Sequence, residues 1–162
     1  MMTPTGEFIQ KLASLKAGDL GRLRRHAGLP LDESVDGFDL FAGLWWPLRE
    51  KNERAPRREV AWLIAKLYAF CPMPQADGAG LAFQLGGIEF GDDKAKAKHQ
   101  QRFDELLVLP LSRIEPALQG AVRLIASREG SLDWVRLTDE LSQWEREETR
   151  TRWAKEFLHL SN

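Results

Sequence analysis

The stretch Arg57-Arg58-Glu59-Val60-Ala61-Trp62-Leu63-Ile64-Ala65-Lys66-Leu67-Tyr68-Ala69-Phe70-Cys71 decides the fold. Val60, Leu63, Ile64, Leu67 and the Phe70/Cys71 pair recur at spacings of three and four, the stripe of a helix that buries one side. Trp62, Ala65, Tyr68 and Ala69 carry the apolar surface nearly all the way round. Such a helix must be covered on several sides, which places it at the centre of a bundle. Lys66 interrupts the run, leaving it too short and too polar to cross a bilayer. Pro72 and Pro74 stop it.

The same periodicity extends in both directions. Upstream, Thr5 to Leu15 carries Phe8, Ile9, Leu12 and Leu15 on one side, and Leu20 to Ala27 follows with Asp19 as its expected N-cap. Gly28 and Pro30 end that segment. Leu31 to Gly37 reads as an acidic loop. Phe38 to Leu48 is helical again, weakened by Pro47, and Arg49 to Arg58 reads as a polar connection. Downstream, helices are expected over Lys94–Leu109, over Pro116–Ser127 with proline in its first turn, over Leu132–Trp144 with Ser131 as cap, and over about Glu145–Leu160. The fold class is all-α, a compact bundle of about seven to eight helices with a Gly-rich loop insertion near the middle.

That insertion, Pro72 to Asp93, holds five glycines. Leu81-Ala82-Phe83-Gln84-Leu85, Gly86-Gly87 and Ile88-Glu89-Phe90 read locally as a small hairpin with a two-residue turn. The other reading is a long loop that tucks Leu81, Phe83 and Phe90 onto the helices. The chain thus divides into an N-terminal helical part (1–71), the Gly/Pro-rich loop (72–93) and a C-terminal helical part (94–162), expected to form one structural unit.

Composition bounds the function. The chain has 162 residues, with 23 Lys and Arg against 24 Asp and Glu, a net charge of −1, and 43% hydrophobic residues. That balance argues against a uniformly basic nucleic-acid binder but allows a basic face offset by an acidic one. A single cysteine excludes an internal disulfide framework and a cysteine zinc site. The beginning of the chain has no basic segment followed by an apolar run, so a cytoplasmic protein is expected.

Catalytic constellations are missing from the sequence. Cys71 ends an apolar helix, where the dipole disfavours a thiolate. His26, His99 and His159 are far apart, form no HExxH pair and read as surface residues. The glycines never spell a dinucleotide or phosphate loop. The acidic pairs Asp32-Glu33 and Asp92-Asp93 have no partner for acid–base work. The expectation is a protein that is not an enzyme and takes no cofactor and no metal.

What remains is clustered charge and tryptophan. Basic residues gather at Arg22, Arg24, Arg25 and His26; at Arg49, Lys51, Arg54, Arg57 and Arg58; at Lys94, Lys96, Lys98, His99 and Arg102; and along the last helix at Arg146, Arg150, Arg152 and Lys155. Arginine suits phosphate because its planar fork binds two oxygens at once. Most of the six tryptophans fall on apolar stripes and read as core, Trp46 least securely.

The order of these pieces resembles one family: CasB, the small subunit of the type I-E CRISPR surveillance complex Cascade. The resemblance is carried by Phe8-Ile9 and Leu12, Gly18-Asp19-Leu20, Leu23-Arg24-Arg25, Gly28, and Trp62-Leu63-Ile64-Ala65 with Leu67-Tyr68-Ala69. It continues through Arg102-Phe103, Leu106-Leu107, Val122-Arg123-Leu124-Ile125, Leu132-Asp133-Trp134, Trp144, Arg152-Trp153-Ala154 and Phe157. It implies an all-helical fold with little strand and a non-catalytic subunit in antiviral defence. The partners it implies are the backbone and large subunits, a guide RNA, the target DNA and a second copy of the chain; no membrane is implied. A basic face would steady the guide–target heteroduplex and the displaced strand, while base pairing reads sequence. Arg24, Arg25, Arg57, Arg58, Arg102 and Arg123 would contact phosphates, with Arg22, Lys98, Arg146 and Arg150 as secondary candidates. The alternative is an all-α protein-interaction module that never touches nucleic acid.

Overall fold

The structure, a computed structural model, describes residues 3–29 and 35–160, with 35–38 described by backbone alone. Nine α-helices and one 3-10 turn account for the regular structure among the described residues, and there is no strand, only an isolated parallel bridge between Gln75 and Leu132. The all-α expectation holds, with one or two more helices than the periodicity suggests.

Helix α1 (Pro4–Ala13) starts at Thr3, whose hydroxyl accepts the Gly6 amide at 3.1 Å. Helix α2 (Ala17–Arg24) begins after Lys16, so Asp19 is not the cap. It lies in the first turn, where a carboxylate suits the helix dipole, 3.8 Å from Arg22. Helix α3 (Val35–Lys51) starts inside the stretch read as an acidic loop and runs on through Pro47. Residues 30–34 of that loop, Asp32 and Glu33 among them, lie outside the described residues. Arg49 folds over the end of α3 and donates to the carbonyls of Glu53 and Ala55 at 2.8 and 2.7 Å.

Helix α4 (Arg58–Phe70) is the central element, with every residue from Val60 to Ala69 buried. It packs on α2, α3, α7 (Glu115–Ser127) and α8 (Trp134–Leu141), while α1 spans α3 and α8. One contiguous core joins these elements. Leu23, Ile64 and Leu118 are fully buried in it, each worth ~1.5–3 kcal/mol in area removed from water.

The hairpin reading of 81–90 is overturned. Leu81–Gly86 is a short helix, α5, between α7 and α9 (Glu147–Phe157). A strand would bury Leu81, Phe83 and Leu85 together; instead Leu81, Ala82 and Leu85 go inside and Phe83 is exposed. Helical spacing wins because Gly86 lets α5 lie directly on the backbone of Phe157, where an added Cβ would sit 1.7 Å from the carbonyl oxygen. The Pro/Gly strap before α5 is tied to the start of α8 by hydrogen bonds. Gln75 Nε2 and the Gly78 amide donate to the two carboxylate oxygens of Asp133, at 2.7 and 2.9 Å. Asp133 also takes the Arg136 amide at 2.9 Å, so Asp133 caps α8 and Ser131 does not.

Helix α6 (Asp93–Leu107) is capped by Asp92 and packs on α7 and α9 through Phe103 and Leu106. The tryptophans follow the core reading. Trp45, Trp62, Trp134, Trp144 and Trp153 are buried, and each indole N–H donates to an acceptor, respectively Pro56 O, Leu29 O, Met73 O, Leu109 O and Glu140 Oε2. Trp46 is 53% exposed. Two histidines depart from the surface reading: His26 is buried beside Trp62, and His99, half-buried, donates to Leu85 O at 2.7 Å; His159 is exposed, as expected. No helix among the described residues is long and apolar enough to cross a membrane.

Candidate nucleic-acid interface

The basic residues singled out in the sequence fall into three regions, and α4 sets the distance between two of them. Arg24, on the last turn of α2, donates through Nε to Ala69 O at 2.9 Å. Arg123, on α7, lies with its Cζ 4.6 Å from the centre of the Phe70 ring. Both guanidinium groups therefore sit at the C-terminal end of α4, where unsatisfied carbonyls carry partial negative charge. Arg25 follows Arg24, exposed, with no ion pair among the described residues. Arg22 pairs with Asp19. Cys71 borders this end; burial pushes its thiol up, and the nearby Arg123 opposes that shift only in part.

Arg57 and Arg58 stand at the other end of α4, about 20 Å away at 1.5 Å per residue. Arg57 is 3.4 Å from Glu145, and Arg58 reaches its neighbour Glu59 at 4.0 Å. Arg146, next to Glu145 in the chain, is the N-cap residue of α9. Arg150 folds inward, its Nε donating to Trp144 O at 3.1 Å and its Cζ 5.2 Å from a Trp144 ring centre. Arg57 and Arg150 are thus partly spent on holding the junction between α4, α8 and α9.

The third region is the outer face of α6. Lys98 and Arg102 are four residues apart, and Lys94 continues the row one turn earlier. All three are exposed, and none has an ion-pair partner among the described residues. Buried Phe103 faces away from the row, and buried Leu106, one turn beyond Arg102, is where the row ends. Residues at i, i+4 and i+8 lie along one face, so this row presents one cationic head every ~6 Å. Like charges at that spacing weaken a helix slightly. The run from Lys94 to Arg102 is visible in sequence; its four-residue period is the signal that adds Lys94 to the site.

Two charged networks that the sequence reading did not isolate are internal. Lys66 and Glu115 form a buried pair, and Arg136 pairs with Glu140 and Glu156 beneath α9. Burial lowers the pKa of Lys66 and raises that of Glu140, in each case partly offset by the paired groups. These cations are consumed by partners within the chain. No cluster of three or more His, Cys, Asp or Glu side chains that could hold a metal occurs among the described residues.

The chain matches the family described as CRISPR-associated protein Cse2 over residues 19–158. A CRISPR-associated protein Cse2 from Thermus thermophilus is 33% identical over 112 residues, 68% of this chain. That match spans 62% of the relative's own length. The crystal structure of CasB from Thermus thermophilus superposes with a TM-score of 0.74 at 28% identity, covering 98% of this chain and 99% of that one. CasB from M. ruber shares the fold, with a TM-score of 0.76 at 24% identity over 98% and 94% of the two chains. The central helix, the pieces ordered around it and the match over most of its length together show that this chain belongs to the CRISPR-associated Cse2 (CasB) family, the family of type I-E Cascade small subunits.

Proposed function

We propose that the chain is the non-catalytic small subunit of a type I-E CRISPR surveillance complex, working in the cytoplasm beside the backbone and large subunits, a guide RNA and a second copy of itself. Its task in this reading is to steady the guide RNA–target DNA heteroduplex and the displaced strand by contacts to phosphate.

The observation that carries the reading is the row Lys94, Lys98 and Arg102 on α6, exposed and without acidic partners among the described residues. A phosphate backbone neutralises such a row without reading a base. Arg25, with Arg24 and Arg123 at the end of α4, supplies a second cationic site; Arg57 and Arg58 supply a third, weakened by the Glu145 and Glu59 carboxylates. The net charge of −1 fits a subunit whose nucleic-acid contacts are local. Alone, so few exposed ion contacts are screened at physiological salt, so firm binding belongs to the assembled complex.

The test uses that complex, reconstituted with the other subunits and a guide RNA from the same host. Lys98→Glu with Arg102→Glu is expected to weaken target-DNA binding alike for every matched target sequence. The salt dependence should flatten by a slope of about 0.7 per lost single-strand phosphate contact. Unchanged affinity and an unchanged slope overturn the assignment of α6.

A further inference from the structure

The outward face of α3 is built unlike the basic regions. Asp39, Gly43, Trp46 and Glu50 recur at spacings of four, three and four, so they fall on one side of the helix. All four are exposed, while Phe41, Leu44, Trp45 and Leu48 are buried on the opposite side. Trp46 is the one tryptophan whose indole N–H has no acceptor among the described residues, and its ring partner there is Trp45, with centroids 5.8 Å apart. Asp39 and Glu50 have no cationic partner among the described residues. The nearby Arg49 does not neutralise them, because its guanidinium is turned to Glu53 O and Ala55 O. Gly43 presents no side chain, and nothing among the described residues lies within 4 Å of where its Cβ would be.

We infer that this face of α3 is a docking surface for an arginine or lysine side chain of a neighbouring protein subunit, seated over the Trp46 ring beside the carboxylate of Glu50, with Asp39 about 10 Å further along the same face. The inference rests on the reading above that the chain works inside a multi-subunit complex. Charge decides the class of partner. An indole face attracts a cation through its quadrupole, and the Glu50 carboxylate one turn away, with Asp39 two turns away on the other side, adds attraction of the same sign. A nucleotide stacked on Trp46 would bring its phosphate against those carboxylates. Exposed tryptophan is also the residue type most enriched among the few that dominate protein–protein binding energy.

The experiment is reconstitution of the complex with the other subunits and guide RNA, using wild type, Trp46→Ala, Trp46→Tyr and the double variant Asp39→Lys with Glu50→Lys. Occupancy of the small subunit is read on a sizing column as its concentration is varied. Thermal unfolding of each free variant reports folding, and target-DNA affinity is read in parallel. Trp46→Ala and the double reversal are expected to need roughly tenfold more subunit for half-occupancy, the loss of one desolvated cation–π contact. Trp46→Tyr, which keeps a π face, should stay near wild type. If Trp46→Ala fails to fold, the surface reversal decides alone. Variants that enter the complex like wild type overturn the inference. So does a Trp46→Ala complex that assembles normally but binds DNA less tightly, since that outcome assigns the ring to a nucleobase. A wild-type chain that stays outside the complex overturns the proposed function itself, and this docking partner with it.

Discussion

Lys66 Nζ stands 2.6 Å from Glu115 Oε1, and the second carboxylate oxygen of Glu115 accepts the Gly28 amide at 2.7 Å. Lys66 also donates to Leu29 O at 2.7 Å. One buried pair thus fastens the middle of α4 to the first turn of α7 and to the chain leaving α2. Removing one partner leaves a charge buried without its counter-ion. Glu115→Ala is expected to cost about 3–5 kcal/mol, whereas replacing both, Lys66→Met with Glu115→Leu, costs less than the single change. Urea midpoints at constant m-value check this. A single variant as stable as wild type removes the pair from the forces holding the fold.

Gly86 and Gly120 make opposite predictions from the same substitution. At Gly86 an alanine Cβ meets the Phe157 carbonyl, a backbone atom that cannot swing aside. Gly86→Ala should cost about 3 kcal/mol or more by forcing α5 off α9. Gly120 lies within α7, exposed, with nothing near its missing Cβ. Gly120→Ala should stabilise the chain by about 0.5–1 kcal/mol through helix propensity. Paired thermal melts that rank these variants the other way contradict the helix pair described here.

The contrast between these glycines shows where sequence is legible and where it is not. Val60 to Ala69 reads correctly because its burial follows from its own composition. Asp133 does not: its capping role is completed by Gln75 and Gly78, more than fifty residues away, while Ser131 looks locally just as suitable. The α5 segment misleads because alternation over Leu81 to Leu85 ignores a backbone contact with Phe157. The basic runs are legible as runs, but their grouping depends on which end of α4 each one reaches. Arg24 and Arg123 meet at one end although nearly a hundred residues separate them. Trp46, the tryptophan least secure as core, is the exposed one because it faces away from the α3 stripe.

Asp133 links stability to acid. Burial alone would raise its carboxyl pKa, but the hydrogen bonds from the Arg136 amide, Gln75 and the Gly78 amide, with the Arg136 charge, hold it below the ordinary value of 3.8. A depressed carboxylate stabilises the fold above its unfolded-state pKa and loses that contribution as pH falls through its folded one. Asp133→Asn keeps one oxygen to cap α8 but gives up the second acceptor and the charge, so it should destabilise the protein near neutral pH by about 1–2 kcal/mol. The deficit should shrink as the solution is taken below the carboxylate range. Glu140, raised chiefly by burial, works with the opposite sign, its cost growing as pH rises above its unfolded-state value. Denaturation curves of wild type and Asp133→Asn across that range separate the two. A pH-independent deficit contradicts the role of the charge.

Arg24 and Arg25 are adjacent in sequence yet differ in what holds them. Arg24 Nε is committed to Ala69 O at the end of α4, while Arg25 is exposed and unpaired among the described residues. In the free protein Arg24→Ala should lose about 0.5–1.5 kcal/mol, one hydrogen bond's net contribution, and Arg25→Ala should stay within about 0.5 kcal/mol of wild type. In the reconstituted complex the order reverses in diagnostic value. Arg25→Glu should lower target-DNA affinity alike for every sequence and flatten the salt slope without moving the melting temperature of the free subunit. Arg24→Glu should do both at once. If Arg25→Glu leaves DNA affinity and salt slope untouched, the end of α4 is not a phosphate site, and Arg24 is retained there only to hold α2 against α4.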